Sequence, residues 1–222
     1  MRSSALLFFI LLFNGMLHAQ FLNDFSGSLE STITYYTNDE KIINPGDSDF
    51  RSNNYLRFNY FKNEFSASVQ FESYIEEALL GYSPQFDQKF GLSLISLAYK
   101  KNKLSVTVGY LFDQFSNGLS YRSWEDRQLG LNNALVGASM AYKFDKVKLA
   151  GFAGKQKVGF EISDGTLMGL NALIDLSKKI NVDLSIVSRH EALASENPDF
   201  SEFTNLYGAK FMYSGGRFYA HL

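Results

Sequence analysis

The pattern that decides the fold is contained in Tyr55-Leu-Arg-Phe-Asn-Tyr-Phe-Lys-Asn-Glu-Phe-Ser-Ala-Ser-Val-Gln-Phe-Glu72. Apolar side chains alternate with polar ones on both sides of a short link, residues 61–64. Because successive side chains of a β-strand point to opposite faces of the sheet, each half is predicted to be a strand with one apolar face. We expect Tyr60 and Phe65, which flank the link, to lie opposite each other in a tight hairpin.

The same alternation recurs along the 222-residue chain and predicts about eleven strands. No charge falls on the apolar side of these strands; the other side carries Arg57, Glu72, Lys143, Lys148, Asp175, Asp183 and Lys210. Short links alternate with longer connections, which are predicted at residues 37–53, 75–91, 113–134, 154–165 and 191–204. Short turns at one end, long loops at the other and aromatic residues near both strand ends are typical of bacterial outer-membrane barrels.

These features predict an all-β fold, an antiparallel transmembrane β-barrel that occupies residues 20–222. About eleven strands leave an odd count, whereas bacterial barrels made of one chain have an even number of strands. Either the count is wrong by one strand, or the chain is the N-terminal part of a longer barrel. The last alternating segment reaches Leu222 without a following turn, which favours a partial barrel.

Residues 1–19 predict a secretory signal peptide that is removed from the mature protein. Arg2 supplies a positive start, residues 5–13 form an apolar run, and Ala19 is suited to cleavage. The alternative is a membrane anchor, but a helix needs roughly 20 apolar residues to span a bilayer. A signal peptide followed by barrel strands predicts a location in the outer membrane of a Gram-negative bacterium, in contact with outer-membrane lipid.

The composition argues against several classes of function. The net charge of −2 gives no basic field for nucleic acid, and the absence of cysteine excludes disulfides and thiolate zinc sites. The sequence has no cluster of metal-ligating residues, so we predict no metal and no cofactor. Ser188 and His190 share one face of a predicted strand. An outer-membrane hydrolase is therefore the alternative to our prediction that the protein is not an enzyme.

One stretch, residues 113–134, breaks the alternation and holds the predicted binding residues, which are Arg122, Trp124, Glu125, Asp126 and Arg127. We expect its charged side chains to pair among themselves within one or two helical turns. Three interpretations are open. The stretch folds into the barrel and narrows it, as charged rings do in pores. Alternatively it is a solvated outer loop, or a docking loop, since Trp and Arg are favoured anchors in interfaces.

The motif in this stretch comprises Gly118-Leu119, Arg122, Glu125, Arg127, Leu129-Gly130 and Asn132-Asn133. It resembles the signature of a family of Bacteroidota outer-membrane β-barrels of unknown function, in which Asp stands at the position of Asn132. The resemblance implies a barrel fold and an outer-membrane location, and it implies no chemistry.

The expected function is a porin-like channel whose polar interior passes small polar solutes. The alternative is a structural or assembly role with a protein partner in the cell envelope. In both cases the stretch 113–134 is the candidate for the constriction or the docking site.

Overall fold

The computed structural model describes residues 22–37, 49–76, 90–127, 131–191, 201–215 and 218–221. Within these residues the chain forms one antiparallel sheet of eleven strands and a separate two-stranded hairpin. Ten strands of the large sheet have eight residues or more, and the last has four. The predicted all-β antiparallel class is confirmed.

The strands are β1 (Phe25–Tyr35), β2 (Phe50–Lys62), β3 (Phe65–Glu76), β4 (Phe90–Lys101), β5 (Leu104–Leu111), β6 (Glu125–Asp126), β7 (Leu131–Asn132), β8 (Leu135–Lys143), β9 (Val147–Val158), β10 (Glu161–Ser177), β11 (Ile180–His190), β12 (Phe203–Gly215) and β13 (Phe218–His221). Each strand of the large sheet pairs with the next one along the chain, and β5 pairs with β8 because β6 and β7 form the separate hairpin. In the described part of the chain the sheet is open, with β1 at one edge and β13 at the other. The same residues contain no helix of the length and hydropathy that membrane crossing requires.

The two faces of the sheet have inverted burial. Large apolar side chains are exposed on one face, including Leu29 at 73%, Leu170 at 66% and Tyr207 at 72%. On the other face polar side chains are buried, and Gln70 and Lys157 are each 1% exposed. A soluble protein buries the apolar face of its sheet and leaves the polar face in water. The alternation read from the sequence therefore assigns the two faces correctly, and the polar face is the one that the fold covers.

The sheet curls so that its polar face is concave. The ammonium group of Lys157 on β9 donates a hydrogen bond to the carbonyl oxygen of Ser93 on β4, at 3.2 Å. Two strands, β5 and β8, separate β4 from β9 in the sheet order. The ring of Tyr74 on β3 likewise lies 6.0 Å from the ring of Phe160, which follows β9. Contacts between strands so far apart in the order require strong curvature.

The register at the β2–β3 turn differs from the prediction. Tyr60 pairs with Ala67, and Lys62 pairs with Phe65. The strands extend further into the link because Asn63 adopts a positive φ of 51°, which allows two residues to close the turn. A shift by two residues leaves every side chain on its predicted face, whereas a shift by one would have inverted the faces.

The predicted long connection at residues 154–165 is wrong. Strand β9 continues to Val158 and β10 begins at Glu161, so Gly159 and Phe160 form a tight turn. Gly159 has a φ of 62°, which suits such a turn. Lys157 interrupts the alternation in the sequence, but the concave face supplies its ammonium group with a partner.

Other predicted segments fall partly or wholly outside the described residues. These are the signal peptide at 1–19 and parts of four connections, at residues 38–48, 77–89, 128–130 and 192–200.

Strand β5 separates from β4 at Gly109. The β4–β5 ladder ends at the pair Ser96 and Gly109, whereas β5 continues to pair with β8 as far as Leu111. Gly109 has a φ of 100°, and a Cβ at this position would lie 2.2 Å from the carbonyl oxygen of Ile95. The close approach and the positive φ together require glycine at the point where β5 separates from β4.

We expect Gly109→Ala to lower the free energy of unfolding by about 1–3 kcal/mol, because the methyl group meets backbone and the backbone conformation is strained. Denaturant titration of the refolded protein measures the change. The control is Gly27→Ala on β1, where the added Cβ would lie 3.3 Å from a carbon of the Phe58 ring, which can shift. Equal stability of the two variants would contradict the assigned role of Gly109.

Candidate functional site

The stretch of residues 113–134, here called the crossing segment, leaves and rejoins the sheet at one point. Leu111 at the end of β5 and Leu135 at the start of β8 are register partners. Both side chains are buried, with 2% and 1% exposure. The crossing segment is therefore an excursion of the chain that starts and ends between neighbouring strands and lies over the concave polar face.

Ser123 holds the two ends of the crossing segment together. Its hydroxyl lies 2.8 Å from the carbonyl oxygen of Leu111 and 3.0 Å from that of Asn133, and it can donate its single proton to either. The same oxygen accepts a hydrogen bond from the backbone N–H of Leu135, at 3.1 Å. Ser123 thus divides the crossing segment into two hairpins, and we call this point the neck. The role of Ser123 has no signature in the sequence.

The first hairpin, residues 113–123, packs toward β9–β12. Gln114 and Arg122 form an isolated β-bridge. The rings of Phe115 and Tyr121 lie 5.1 and 3.9 Å from the ring of Phe152 on β9, measured between centroids. These three rings form one buried apolar cluster with Leu111, Leu135 and Val187. This cluster anchors the first hairpin to the sheet.

The second hairpin consists of β6 and β7, and the helical turns predicted for this stretch are wrong. The backbone N–H of Trp124 donates to the side-chain oxygen of Asn133 at 2.6 Å, and the N–H of Asn133 donates to the carbonyl oxygen of Trp124 at 3.2 Å. This reciprocal pair lies next to Ser123 and places Trp124 opposite Asn133. The β6–β7 pairing continues from it, with Glu125 opposite Asn132 and Asp126 opposite Leu131. Leu129 and Gly130 of the sequence motif lie outside the described residues.

Arg127 ties the second hairpin to the first three strands. Its guanidinium donates to the side-chain oxygen of Gln70 on β3 at 2.7 Å, and it pairs with the carboxylate of Glu30 on β1. The same group lies 4.5 Å from the centroid of the Tyr55 ring on β2. A planar guanidinium can make hydrogen bonds and ring contacts at the same time, which a lysine ammonium does less well.

Two carboxylates meet beside Arg127. The amide nitrogen of Gln70 donates to Glu72 and to Glu125, each at 3.2 Å. The hydroxyl of Tyr74 donates to the other oxygen of Glu72 at 2.9 Å. Burial, and to a smaller extent the charge of Glu72, raise the pKa of Glu125 on the crossing segment, while Arg127 opposes the shift. Glu125 therefore keeps its proton to a higher pH than an exposed glutamate.

The five predicted site residues are divided by the fold. Arg127 and Glu125 come together over β3, with Arg127 Nε 3.4 Å from a Glu125 oxygen. Arg122 is exposed, and its guanidinium carbon lies 4.4 Å from the centroid of the half-buried Trp124 ring. Asp126 is half-buried on β6. The charges therefore do not form one cluster, because the two hairpins diverge from the neck.

Strand residues that were not predicted as site residues complete the polar cluster, namely Tyr55, Gln70, Glu72, Tyr74 and Lys157. All five are large polar side chains at positions that alternation assigns to the polar face or, for Lys157, to a connection. The sequence signal that could have identified these residues is their large polar side chains on the polar face. Their partners could not be read because the crossing segment is far away in sequence.

Ser188 and His190, which the sequence analysis names for the alternative of a hydrolase, contact different residues. The hydroxyl of Ser188 hydrogen-bonds Asn205, and the ring of His190 lies 4.4 Å from that of Phe203. Within the described residues no three His, Cys, Asp or Glu side chains are grouped so that they could hold a metal ion.

One family model matches the whole chain. The model for the Family of unknown function (DUF6029) matches residues 1–222. The chain belongs to DUF6029. Curated proteins gave no match. The resemblance to a family of unknown function is thus confirmed, while the barrel fold and the Bacteroidota origin of DUF6029 stay predictions.

The motif in this DUF6029 chain shapes the crossing segment. Gly118, with a φ of 84°, lies in the turn of the first hairpin, and Arg122 closes that hairpin. In the second hairpin the side-chain amide of Asn132 donates to Glu125 at 3.2 Å. The described residues of the motif thus lie in both hairpins, and two of them, Glu125 and Arg127, contact the sheet.

We expect Ser123→Ala to destabilise this DUF6029 protein by about 1–3 kcal/mol, because it removes the hydrogen bonds that the buried Ser123 hydroxyl makes with the backbone of Leu111 and Leu135. Denaturant unfolding measures the effect. The control is Ser116→Ala in the first hairpin, since the buried Ser116 hydroxyl has no hydrogen-bond partner. Its removal should be neutral or slightly stabilising. A Ser123→Ala protein as stable as the control would contradict the assignment of the neck.

Proposed function

We propose that the protein is an outer-membrane β-barrel protein whose concave polar face lines a passage for small polar solutes, and that the crossing segment narrows this passage. The observation that carries the proposal is the inverted burial of the sheet. Charged and amide side chains such as Glu72 and Gln70 are almost fully buried, while the apolar face is exposed.

The apolar face is costly in water and suited to lipid. Fully exposing a large apolar side chain forgoes about 1.5–3 kcal/mol relative to burying it. The exposed residues of the large strands include Leu29, Ile33, Ile95, Leu97, Met140, Leu149, Leu170, Leu184, Tyr207 and Phe211. A hydrocarbon environment removes this cost. It also requires that every strand edge be paired, so the proposal includes partners for the outer edges of β1 and β13.

Aromatic contacts and the N-terminal sequence support the location. On the apolar face, Phe65 and Tyr99 lie with ring centroids 4.8 Å apart near the β2–β3 and β4–β5 turns. Phe71 and Phe90 lie 6.0 Å apart nearer the other end of the same strands. Two aromatic levels along a strand pair match the two interfaces of a bilayer. The predicted signal peptide and the resemblance to Bacteroidota barrels favour the outer membrane of a Gram-negative bacterium.

The polar cluster around Arg127 supplies the selectivity of the proposed passage. Arg127 pairs with Glu30 and Glu125, and the amide of Gln70 joins Glu125 to Glu72. Charged side chains at a constriction set which solutes pass. Because Arg127 links the second hairpin to β1 and β3, it also determines how wide the passage is.

Two neighbouring positions on β4 test which face meets lipid. Leu97 is 49% exposed on the apolar face, and Ser96 is half-buried on the polar face. The chain has no cysteine, so Leu97→Cys and Ser96→Cys each carry one spin label. In liposomes we expect the label at Leu97 to collide mainly with oxygen, and the label at Ser96 mainly with a water-soluble nickel chelate. Electron paramagnetic resonance power saturation measures both, and high access of the nickel chelate at Leu97 would refute the membrane orientation.

Conductance in planar bilayers tests the passage. Arg127→Ala removes a charge-assisted hydrogen bond to Gln70, worth about 1.5–3 kcal/mol, and loosens the second hairpin. We expect a larger single-channel conductance and a changed ratio of cation to anion permeability. The control is Arg122→Ala, because Arg122 is exposed and contacts Trp124 within the crossing segment. Equal effects of both variants would contradict the role given to Arg127.

The second candidate function is a structural or assembly role in the envelope. It is favoured by Leu119, which is 85% exposed at the tip of the first hairpin and offers an apolar contact to a partner. The absence of conductance in correctly inserted protein, together with purification of a partner in fixed ratio, would favour this role over a channel.

A further inference from the structure

A cavity of about 310 Å³ separates the first hairpin from β11 and β12. Its polar lining includes Asn117 and Ser120 from the hairpin, Asp183 and Ser185 from β11, and Lys210 from β12. The cavity lies on the opposite side of the neck from Arg127, and none of its lining residues belongs to the polar cluster around Gln70.

Two opposite charges lie on neighbouring strands, β11 and β12, at the wall of this cavity. Asp183 and Lys210 are register partners, so their Cβ atoms are about 5 Å apart. The Asp183 carboxylate accepts a hydrogen bond from Asn171 and is 7% exposed. Within the described residues, the Lys210 ammonium makes no ion pair with Asp183 or another carboxylate. A buried carboxylate and an unpaired ammonium side by side offer both charges to a ligand.

We infer that this cavity binds a small zwitterion of the size of a free neutral amino acid, with the ligand ammonium on Asp183 and the ligand carboxylate on Lys210. The inference rests on the proposed function, because it names the class of solute that the passage accepts. At about 30 Å³ for each water-sized atom, the cavity holds about ten non-hydrogen atoms. The hydroxyls of Ser120 and Ser185 hydrogen-bond each other at 3.1 Å. One of their two protons and the remaining lone pairs are left for a polar side chain of the ligand.

The lining favours a zwitterion over a sugar. A protein commonly recognises a sugar ring by stacking an aromatic side chain against it, as aromatic faces attract apolar C–H surface. The aromatic residue of the lining, Tyr207, is 72% exposed and follows the alternation to the apolar face. The cavity therefore offers opposite charges and hydroxyls, while the ring of Tyr207 lies toward the apolar face of the sheet.

Isothermal titration calorimetry of the folded protein in detergent micelles tests the inference, with L-glutamine as the probe. D-glucose, acetate and ethylammonium serve as ligands that lack one or both charges. We expect one molecule of glutamine to bind, and each comparison ligand to bind about ten-fold more weakly or worse, since each missing charge-assisted hydrogen bond is worth at least that factor.

Charge-removing variants localise the site. Lys210→Gln and Asp183→Asn should each weaken glutamine binding about ten-fold or more. Lys148→Gln is the matched control, because Lys148 is a lysine of the polar face that does not line this cavity, and it should leave the affinity unchanged. Gly208→Ala adds a Cβ about 2.4 Å from the Ser185 hydroxyl oxygen and 3.6 Å from Ser120, so it should weaken binding by filling the cavity.

The inference is overturned if glutamine does not bind, if glucose binds as tightly, or if Lys210→Gln and Asp183→Asn bind glutamine as the unchanged protein does. This result is separate from the fate of the proposed passage. Titration in micelles requires no bilayer, whereas the spin labels at Ser96 and Leu97 report only on the membrane orientation. A correctly inserted protein that fails to bind glutamine would therefore retain the proposed location and lose the solute class.

Discussion

Buried polar groups on the concave face need hydrogen-bond partners, and this requirement governs the rest of the structure. An amide or carboxylate that is removed from water without a partner costs several kcal/mol. Gln70 meets the requirement by contacting Glu72, Glu125 and Arg127 at once. The crossing segment supplies two of these three partners, so the polar face and the crossing segment depend on each other.

The neck at Ser123 allows one segment to serve two distant parts of the sheet. From this point the first hairpin reaches β9–β12 through a cluster of rings, and the second reaches β1–β3 through Arg127. The first contact is apolar and the second is charged. A curled sheet with its ends at β1 and β13 is thus bridged from inside, which holds its curvature in the described part of the chain.

Much of the sheet could be predicted because strand formation and side-chain alternation are local properties. The polar position of Glu72 and Asp183 follows from period two alone, and both are buried on that face. The predicted connection at residues 154–165 was wrong because a long-range contact compensates for a break in the alternation of apolar and polar residues. Lys157 interrupts the alternation and suggests a loop, yet the carbonyl of Ser93 accepts its hydrogen bond and the strand continues. At the Asn63 turn the register moved by two residues, a change to which the pattern is insensitive.

The sequence by itself determined most of the strands, the two faces and the place where alternation fails, since these depend on residues a few positions apart. Only the tertiary structure decided that Arg127 and Glu125 meet Gln70, while Arg122 and Trp124 contact each other elsewhere. It also decided that the Asp183 and Lys210 pair borders a cavity. The physical reason is that the crossing segment meets strands far from it in sequence, β3 on one side and β11 and β12 on the other. Curvature of the sheet brings these strands to it.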